Sequence, residues 1–423
     1  MRPSPPTLCD ADWLFAATAQ AVFRAIEAGG HGARAVGGSV RNALLGLPVR
    51  DVDIATTATP DEVTQLAAAA GLKTVATGIC HGTVTVVSGG VPYEVTTLRR
   101  DVETFGRKAR IAFSADWAED ARRRDFTINA LYCDRGGAIH DPLGGYADIE
   151  ARRVRFIGDA HARIREDYLR ILRFFRFTAE YGHGEGGHGQ PDAEGLAACV
   201  GERGGLALIS AERIRAELMK LLAAPGALPA VRAMTDGGIT TLIVAEAPDV
   251  AMLARLVDVA ALGLAPDPVL RLAALAAREP ADGPRLKERL RLSSAEADEL
   301  TSVAGHLTAD IAYDPASDEH LARAHLYRLG SRIWSKRGLL VWAHVAAEPG
   351  DAARRHRLEL PLRWTPPVLP VRGADVIARG VASGPAVGRT IERFERVWID
   401  AGFPSDPALI EARLAEAIAA ECC

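Results

Sequence analysis

The segment Val36-Gly37-Gly38-Ser39-Val40-Arg41-Asn42-Ala43-Leu44-Leu45-Gly46, followed by Arg50-Asp51-Val52-Asp53-Ile54, decides how the chain is read. The residues leading into it, Ala33 to Val36, are apolar apart from Arg34 and predict a short strand. Gly37-Gly38 allows the backbone to come close to a bulky ligand. Ser39 is a suitable N-cap, Val40, Ala43 and Leu44 supply a helical stripe, and Gly46 stands where a helix C-terminus accepts glycine. A glycine turn opening onto a helix N-terminus attracts an anion such as phosphate, and Arg41 adds a fixed positive charge. On a strand, Asp51 and Asp53 share one face while Val52 and Ile54 take the other. Two neighbouring carboxylates repel each other, and hard oxygen ligands suit Mg²⁺, which commonly takes one or two carboxylates plus substrate phosphates. Alone, each feature is more often structural, a turn or a solvated strand edge. In this order and this close together, they predict metal-assisted nucleotidyl transfer.

Working outward, Asp10 is placed to cap a helix carrying Leu14, Phe15, Val22 and Ile26. Thr59-Pro60-Asp61-Glu62 is a helix start with a cap, a proline at the first position and a capping-box glutamate. Gly82–Ser88 and Val91–Leu98 alternate and are rich in β-branched residues, with Gly89-Gly90 making a hairpin between them. The first ~150 residues therefore read as α/β with a mixed sheet. Glu94 lies on the second hairpin strand and would join the Asp51/Asp53 carboxylates if that strand neighbours theirs; an ordinary polar face is the alternative. Arg99 to Arg110 is polar without a period and reads as a loop beside the site. Beyond about Glu150 no strand alternation is evident and the chain reads as helices, with a break at Pro225-Gly226 and a proline-rich change of texture from Arg354 to Pro370. Tyr181–Gly189, with His183 and His188, reads as a surface loop rather than a metal site.

At 423 residues the chain should hold more than one domain, and 48% hydrophobic with 25% charged residues is a globular composition able to bury real cores. A net charge of -4 does not mark a bulk-charge nucleic-acid binder. Locally, however, Arg152, Arg153, Arg155, Arg163, Arg165, Arg170, Arg173 and Arg176 crowd one span, which either serves a phosphate backbone or forms a salt-bridged helix face. The six cysteines are scattered without a C-x-x-C pair, so neither a zinc site nor a disulfide framework is indicated. Met1–Pro6 leads into no signal-peptide core and no apolar run is long enough to span a bilayer, which predicts a soluble cytoplasmic protein.

Two further segments carry chemistry. Arg122-Arg123-Arg124-Asp125-Phe126-Thr127-Ile128-Asn129-Ala130 sets arginines and an aspartate before an apolar run, suited to contacts with a nucleotide. Glu166-Asp167-Tyr168-Leu169-Arg170, continuing to Arg173 and Arg176, places Asp167 and Arg170 three apart. That pair is either an intrahelical ion-pair ladder or an acceptor–donor fork able to read a base edge. Ser210 caps a helix on which Arg213 and Glu217 stand four apart, spaced to pair.

Taken together, these motifs resemble the bacterial tRNA nucleotidyltransferase (CCA-adding enzyme) and poly(A) polymerase family, the class II branch of the polymerase-β-like nucleotidyltransferases. The match covers at least residues 33–222, in order. The resemblance implies an α+β protein: a nucleotidyltransferase head (1–150) with a mixed sheet, then an all-α neck (151–225), body (226–350) and tail (351–423). It implies that Asp51 and Asp53 are catalytic and bind two Mg²⁺ for a two-metal attack of the 3′-OH on the α-phosphate, that Gly38 and Arg41 hold the triphosphate, and that Arg124 and Asp125 contact phosphate or ribose. Asp167 and Arg170 would recognise the base of CTP or ATP, with Arg173 and Arg176 supporting, and the helix from Ser210 to Arg215 bracing them. The later helices would hold the acceptor end of tRNA by shape and backbone. Many relatives carry aspartate where Asn42 stands. The only His-Asp dipeptide is His140-Asp141, inside a turn, so no phosphohydrolase domain is expected. A poly(A) polymerase, or an enzyme adding only C or only A, shares the same chemistry; a catalytically dead RNA-binding relative is disfavoured because both carboxylates are present.

Overall fold

In the computed structural model, which describes residues 5–78, 82–105, 108–184, 187–260, 267–305 and 311–421, the N-terminal part alternates helices and strands. Helices α1 (Asp12–Phe15) and α2 (Ala17–Glu27) precede β1 (Ala33–Val36), α3 (Gly38–Leu44), β2 (Asp53–Thr56) and α4 (Pro60–Ala69). Then come β3 (Lys73–Gly78), β4 (Thr83–Ser88), β5 (Val91–Thr97), β6 (Arg99–Phe105) and β7 (Lys108–Phe113). Helix α5 (Trp117–Arg122), β8 (Tyr132–Cys133), β9 (Ile139–His140) and α6 (Tyr146–Glu150) follow. Seven strands form one sheet in the order β3-β4-β5-β2-β1-β8-β9. It is mixed: β2 and β5 run parallel, the other neighbours antiparallel.

Alternation along β4 and β5 turns Val84, Val86, Tyr93 and Val95 inward, where α2 and α4 cover them with Val22, Phe23, Ile26 and Val63. Burying each large aliphatic side chain stabilises by about 1.5–3 kcal/mol, so this layer fixes which way the strands face. The α4 start forms as expected: Thr59 Oγ1 accepts from the Glu62 N–H while the Glu62 carboxylate accepts from the Thr59 N–H. Helix α3 begins two residues earlier than expected, at Gly38 with Gly37 as its N-cap; the Ser39 hydroxyl does not cap it but donates to the Val36 carbonyl at 3.3 Å. Gly46, at φ +68°, ends the segment as glycine permits.

Two stretches expected as loops contain strands. Arg99–Phe105 and Lys108–Phe113 pair as an antiparallel hairpin. The ladder uses backbone hydrogen bonds, which leave no hydrophobic period for sequence reading to detect. Likewise β10 (His183–Gly184) and β11 (Gly187–His188) form a two-residue ladder; Glu185 and Gly186 lie outside the described residues. The rest of this region is helical: α7 (Ala160–Glu166), α8 (Leu169–Tyr181), α9 (Ala193–Gly201), α10 (Ala211–Ala223), α11 (Ala227–Asp236) and α12 (Ile239–Val244).

A buried aromatic cluster joins the sheet region to α8. Phe126 lies 5.0 Å from Phe156 and 5.2 Å from Phe177, and Phe156 stacks on Phe174 at 5.4 Å. Such pairs add about 0.5–1.5 kcal/mol beyond area burial, so the segment after Asp125 is anchored to α8 by packing as well as by charge.

The chain divides into two compact units, one running to Pro248 and including Arg289–Arg291, the other comprising Asp249–Glu288 and Leu292–Cys423. The Pro225-Gly226 break separates α10 from α11 inside the first unit. The second unit is helical where described. Its helix Glu319–His344 turns at Gly330, at φ +73°, and Val376, Phe394, Trp398 and Leu414 form a core in its C-terminal part. Among the described residues no helix is long and apolar enough to cross a membrane. Cys9, Cys133 and Cys199 are free thiols, and the other three cysteines lie outside the described residues.

Candidate active site

The sheet brings the sequence-predicted groups to one end. Val36, the last residue of β1, pairs with Asp53, the first of β2; Asp53 is in turn in register with Glu94 on β5, and Val36 with Tyr132 on β8. The Gly37-Gly38 turn thus leaves the sheet beside the Asp53 carboxylate. Asp51 lies just before β2 rather than on it, and both aspartates are exposed. The protein around Asp53 still raises its pKa above the ordinary carboxylate value, first by burial and then by the charge of Glu94; Arg124 opposes and Asp51 adds to the rise. Asp53 is therefore an accessible carboxylate in a net-negative setting. That is an environment a divalent cation neutralises, with oxygen donors suited to a hard ion. Among the described residues no group of three or more His, Cys, Asp or Glu is pre-assembled for a metal, so the aspartate pair would share an ion with oxygens supplied by substrate.

Gly37 has φ +71°, and a Cβ there would stand 3.6 Å from Arg124 Nη1 and 3.8 Å from the Asn129 carbonyl. The glycine allows this backbone geometry and brings Arg124 against the turn. Arg124 is steered by Asp120, whose buried carboxylate accepts from it at 2.9 Å, from Arg123 at 2.8 Å and from the Tyr132 hydroxyl at 2.8 Å. Burial would raise the Asp120 pKa, but the Arg124 and Arg123 charges outweigh it and hold the group below the ordinary value.

Arg41 is buried, with 6% of its surface exposed. Its guanidinium donates to Asn129 Oδ1 at 2.6 Å, Asn42 Oδ1 at 2.8 Å and the Tyr181 hydroxyl at 2.8 Å. Nη2 lies 3.7 Å from where a Gly38 Cβ would stand. Among the described residues no carboxylate pairs with it, and burial lowers its pKa. A buried cation whose acceptors are all neutral, set against the glycine turn, leaves charge available to an anion.

Asp125 is held in a network of its own. Both its oxygens are occupied: Oδ1 accepts from the Phe126 N–H at 2.9 Å and Asn129 Nδ2 at 3.0 Å, and Oδ2 from Arg173 Nε and Nη2 at 2.9 and 2.5 Å. Asp167 is not on a helix with Arg170. It sits in the break between α7 and α8, in extended backbone, so the intrahelical ladder is not formed. Instead Asp167 Oδ2 accepts from Arg213 Nη2 at 2.6 Å, and Arg170 Nη1 donates to Glu166 at 2.5 Å and to the Arg163 carbonyl at 2.6 Å. Arg213 therefore does not pair with Glu217. Glu217 takes Arg176 at 2.5 Å, and Arg176 also meets Glu180 at 2.9 Å. Most of the arginine-rich span is held this way. Arg153 and Arg155 both bond the fully buried Asp148, and Arg163 bonds Glu166 and the carbonyls of Arg123 and Arg124.

The motifs assign no role to Asp120 or Tyr181, and they contain Asn129, Arg163 and Glu217 without indicating the partners these residues take. Asn129, a polar residue inside an apolar run, carried a visible signal. Asp120 lies three and four positions from Arg123 and Arg124, whereas Arg163, Glu217 and Tyr181 meet partners roughly 40 to 140 positions away, which no local spacing reveals.

The chain is similar to several known proteins. Residues 33–155 match the poly A polymerase head domain and residues 192–251 the probable RNA and SrmB-binding site of polymerase A. Mouse mitochondrial CCA tRNA nucleotidyltransferase 1 is 34% identical over 384 residues, covering 88% of this chain and 84% of that protein. The CCA-adding enzyme of Geobacillus thermodenitrificans is 42% identical over 224 residues, about half of each chain (52% and 53%). The crystal structure of the Bacillus stearothermophilus CCA-adding enzyme in complex with CTP superposes with a TM-score of 0.72 at 28% identity, covering 96% of this chain and 98% of that one. The relatives come from animal mitochondria and from bacteria, so the resemblance is not specifically bacterial. With the carboxylate pair, the glycine turn and the arginine-lined α7–α8 break in family order, the chain belongs to the class II CCA-adding tRNA nucleotidyltransferases.

Proposed function

We propose that this chain adds C, C and A to the 3′ end of tRNA from CTP and ATP without a nucleic-acid template, with Asp51 and Asp53 as its catalytic pair. The observation that carries the reading is the row across the sheet, in which the Asp53 carboxylate lies beside the glycine turn and next to Glu94. Asp51 and Asp53 would hold the divalent ion, which we take to be Mg²⁺; when bound, it lowers the pKa of the attacking 3′-hydroxyl and neutralises charge on the α-phosphate and leaving pyrophosphate. Glu94 adds negative charge beside Asp53 and so favours occupancy.

The other steps belong to the chain's own residues. Gly37-Gly38 allows the triphosphate close to the backbone, with Arg124 set against Gly37 and Arg41 against Gly38. Asp125 orients Arg173 and Asn129, and reaches the nucleotide through them. Asp167 offers an acceptor and Arg170 a donor to the base edge, while Arg213 fixes the carboxylate and Glu166 the guanidinium. Arg173 and Arg176 hold α8 in place. We retain the division into head 1–150, neck 151–225, body 226–350 and tail 351–423, with the acceptor arm received by the later helices through shape and backbone.

The test is a tRNA lacking its terminal CCA, offered CTP alone, ATP alone, and both. We expect two additions, none, and three. A long tail with ATP alone would make the chain a poly(A) polymerase, and a stop after C with both nucleotides a partial enzyme. Selection at the base should depend on Asp167. A good hydrogen-bonded pair contributes about 1–3 kcal/mol of discrimination, so Asp167→Ala should reduce preference for the correct nucleotide by roughly 5- to 100-fold. Competition assays with mixed CTP and ATP read this directly, and unchanged preference would remove Asp167 from base selection.

A further inference from the structure

Arg41 has a partner that no motif contains. Tyr181 ends α8, 140 positions from Arg41, and meets it twice: its hydroxyl accepts from Arg41 Nη2 at 2.8 Å, and its ring lies under the guanidinium carbon at 4.0 Å. Phe177, one turn earlier, adds a second ring at 5.3 Å. The guanidinium also holds Asn129, and Asn129 holds Asp125, which holds Arg173 of α8. Arg176 and Glu180 continue the bonding along α8 to the residue before Tyr181. The glycine-turn helix α3 therefore grips α8 through one buried cation, by a path separate from the Asp125–Arg173 contact. Asn42 matters here. An aspartate at that position would pair with Arg41, whereas the neutral amide leaves Asn42, Asn129 and Tyr181 as uncharged acceptors of a guanidinium still free to attract phosphate.

We propose that Tyr181 is a positioning residue that couples triphosphate binding at Arg41 to base selection at Asp167 and Arg170. The inference rests on the triphosphate role of Arg41 given above. Helix α8 acts as the rigid link. Its ends are Leu169, beside Asp167 and Arg170, and Tyr181, with Arg173 pinned between them by Asp125. At 1.5 Å per residue Tyr181 is about 12 Å and Leu169 about 6 Å from Arg173, so a 1 Å displacement at Tyr181 moves the base-reading end by roughly 0.5 Å in the opposite sense. Shifts of that order at a reacting or selecting group carry effects of roughly tenfold. A phosphate that draws Arg41 forward therefore pulls on the helix that reads the base, and a correctly seated base holds Arg41 in place for the phosphates.

The decisive variant is Tyr181→Phe, which keeps the ring under Arg41 and removes only the hydroxyl. In the full-length protein with a CCA-less tRNA, inorganic triphosphate serves as the probe of the phosphate subsite and CTP/ATP competition as the probe of selection. We expect triphosphate inhibition to weaken and nucleotide preference to fall together, each by about fivefold to tenfold, with KM raised more than kcat is lowered. Tyr181→Leu, which also removes the ring, should deepen both losses; thermal unfolding of each variant separates coupling from loss of fold. A folded Tyr181→Phe with unchanged triphosphate inhibition overturns the proposal, and so does weakened inhibition with selectivity intact. Arg41→Met, run in parallel, keeps the two readings apart. If it leaves triphosphate inhibition unchanged, the phosphate role of Arg41 fails; if it weakens inhibition while Tyr181→Phe does not, only the coupling fails.

Discussion

Asp53→Asn and Asp51→Asn should each abolish nucleotide addition while leaving the protein folded. The carboxylate pair is the only proposed means of holding the ion at the α-phosphate. Metal stabilisation of that charge contributes several kcal/mol, and at about 1.4 kcal/mol per tenfold the loss should be about 10³-fold or more in kcat/KM. Stability should not follow activity. Asp53 is exposed, its negative charge is opposed by Glu94 and Asp51, and its pKa is raised, so its ionised form is a cost to the folded state at neutral pH. The amide removes that cost, and the unfolding temperature of Asp53→Asn without metal should equal or exceed that of the parent. Adding Mg²⁺ should raise the parent's unfolding temperature, because an ion that binds only the folded state stabilises it by mass action, and should do so less in either variant. Single-turnover addition of CTP to a CCA-less tRNA checks the first point and thermal scans with and without Mg²⁺ the second. Activity within tenfold of the parent in either variant would end the metal assignment.

The arrangement of the glycine turn beside the Asp53 carboxylate was legible because its parts are close in sequence. Gly37-Gly38 and Asp53 are separated by one short helix and a turn, and β1–β2 pairing brings them together with no contribution from distant chain. The same holds for the Thr59–Glu62 helix start and the β4–β5 hairpin. The Asp167–Arg170 segment, proposed to select the base, was legible as a motif but not as geometry. Spacing placed Asp167 and Arg170 on one helix face; a break in the backbone separates them, and Arg213 and Glu166 hold them instead. Spacing also paired Arg213 with Glu217, both of which point to earlier parts of the chain. A local rule cannot rank an i, i+4 pair worth a few tenths of a kcal/mol against a buried ion pair formed across the fold. The β6–β7 hairpin escaped for another reason, since no apolar period betrays a ladder held by backbone hydrogen bonds.

Asp125→Asn tests whether that buried network, rather than direct contact with the nucleotide, is what the Arg124-Asp125 segment provides. Burial alone would raise the Asp125 pKa. The charge of Arg173, with hydrogen bonds from Asn129, Arg173 and the Phe126 N–H, more than offsets it, and the folded value lies below the ordinary one. A depressed carboxylate contributes stability that is fully present above its unfolded pKa of about 3.9 and is lost as pH falls through the folded value. At neutral pH the amide would leave the Arg173 guanidinium, beside the aromatic cluster, with only its longer contact to Glu217 at 3.8 Å. Breaking a buried pair from one side costs about 3–5 kcal/mol, and the partial exposure of Arg173 favours the lower end. For a folding unit of this size, about 3 kcal/mol lowers the unfolding temperature by roughly 6–12 °C. The difference from the parent should be full at pH 7 and shrink only as pH falls below about 3.9, where the unfolded carboxylate takes up its proton, until the lower folded value is passed. Replacing both partners, as in Asp125→Asn with Arg173→Met, should cost less than the sum of the single changes, because no charge is then left unpaired. A residue that merely touched ribose or phosphate would give the opposite pattern: normal unfolding at pH 7, a raised KM, and additive behaviour with Arg173. Thermal scans at pH 7 and at about pH 2.5 on the two single variants and the double decide between them, and an unfolding temperature at pH 7 unchanged by Asp125→Asn would remove Asp125 as the joint between the glycine-turn segment and helix α8.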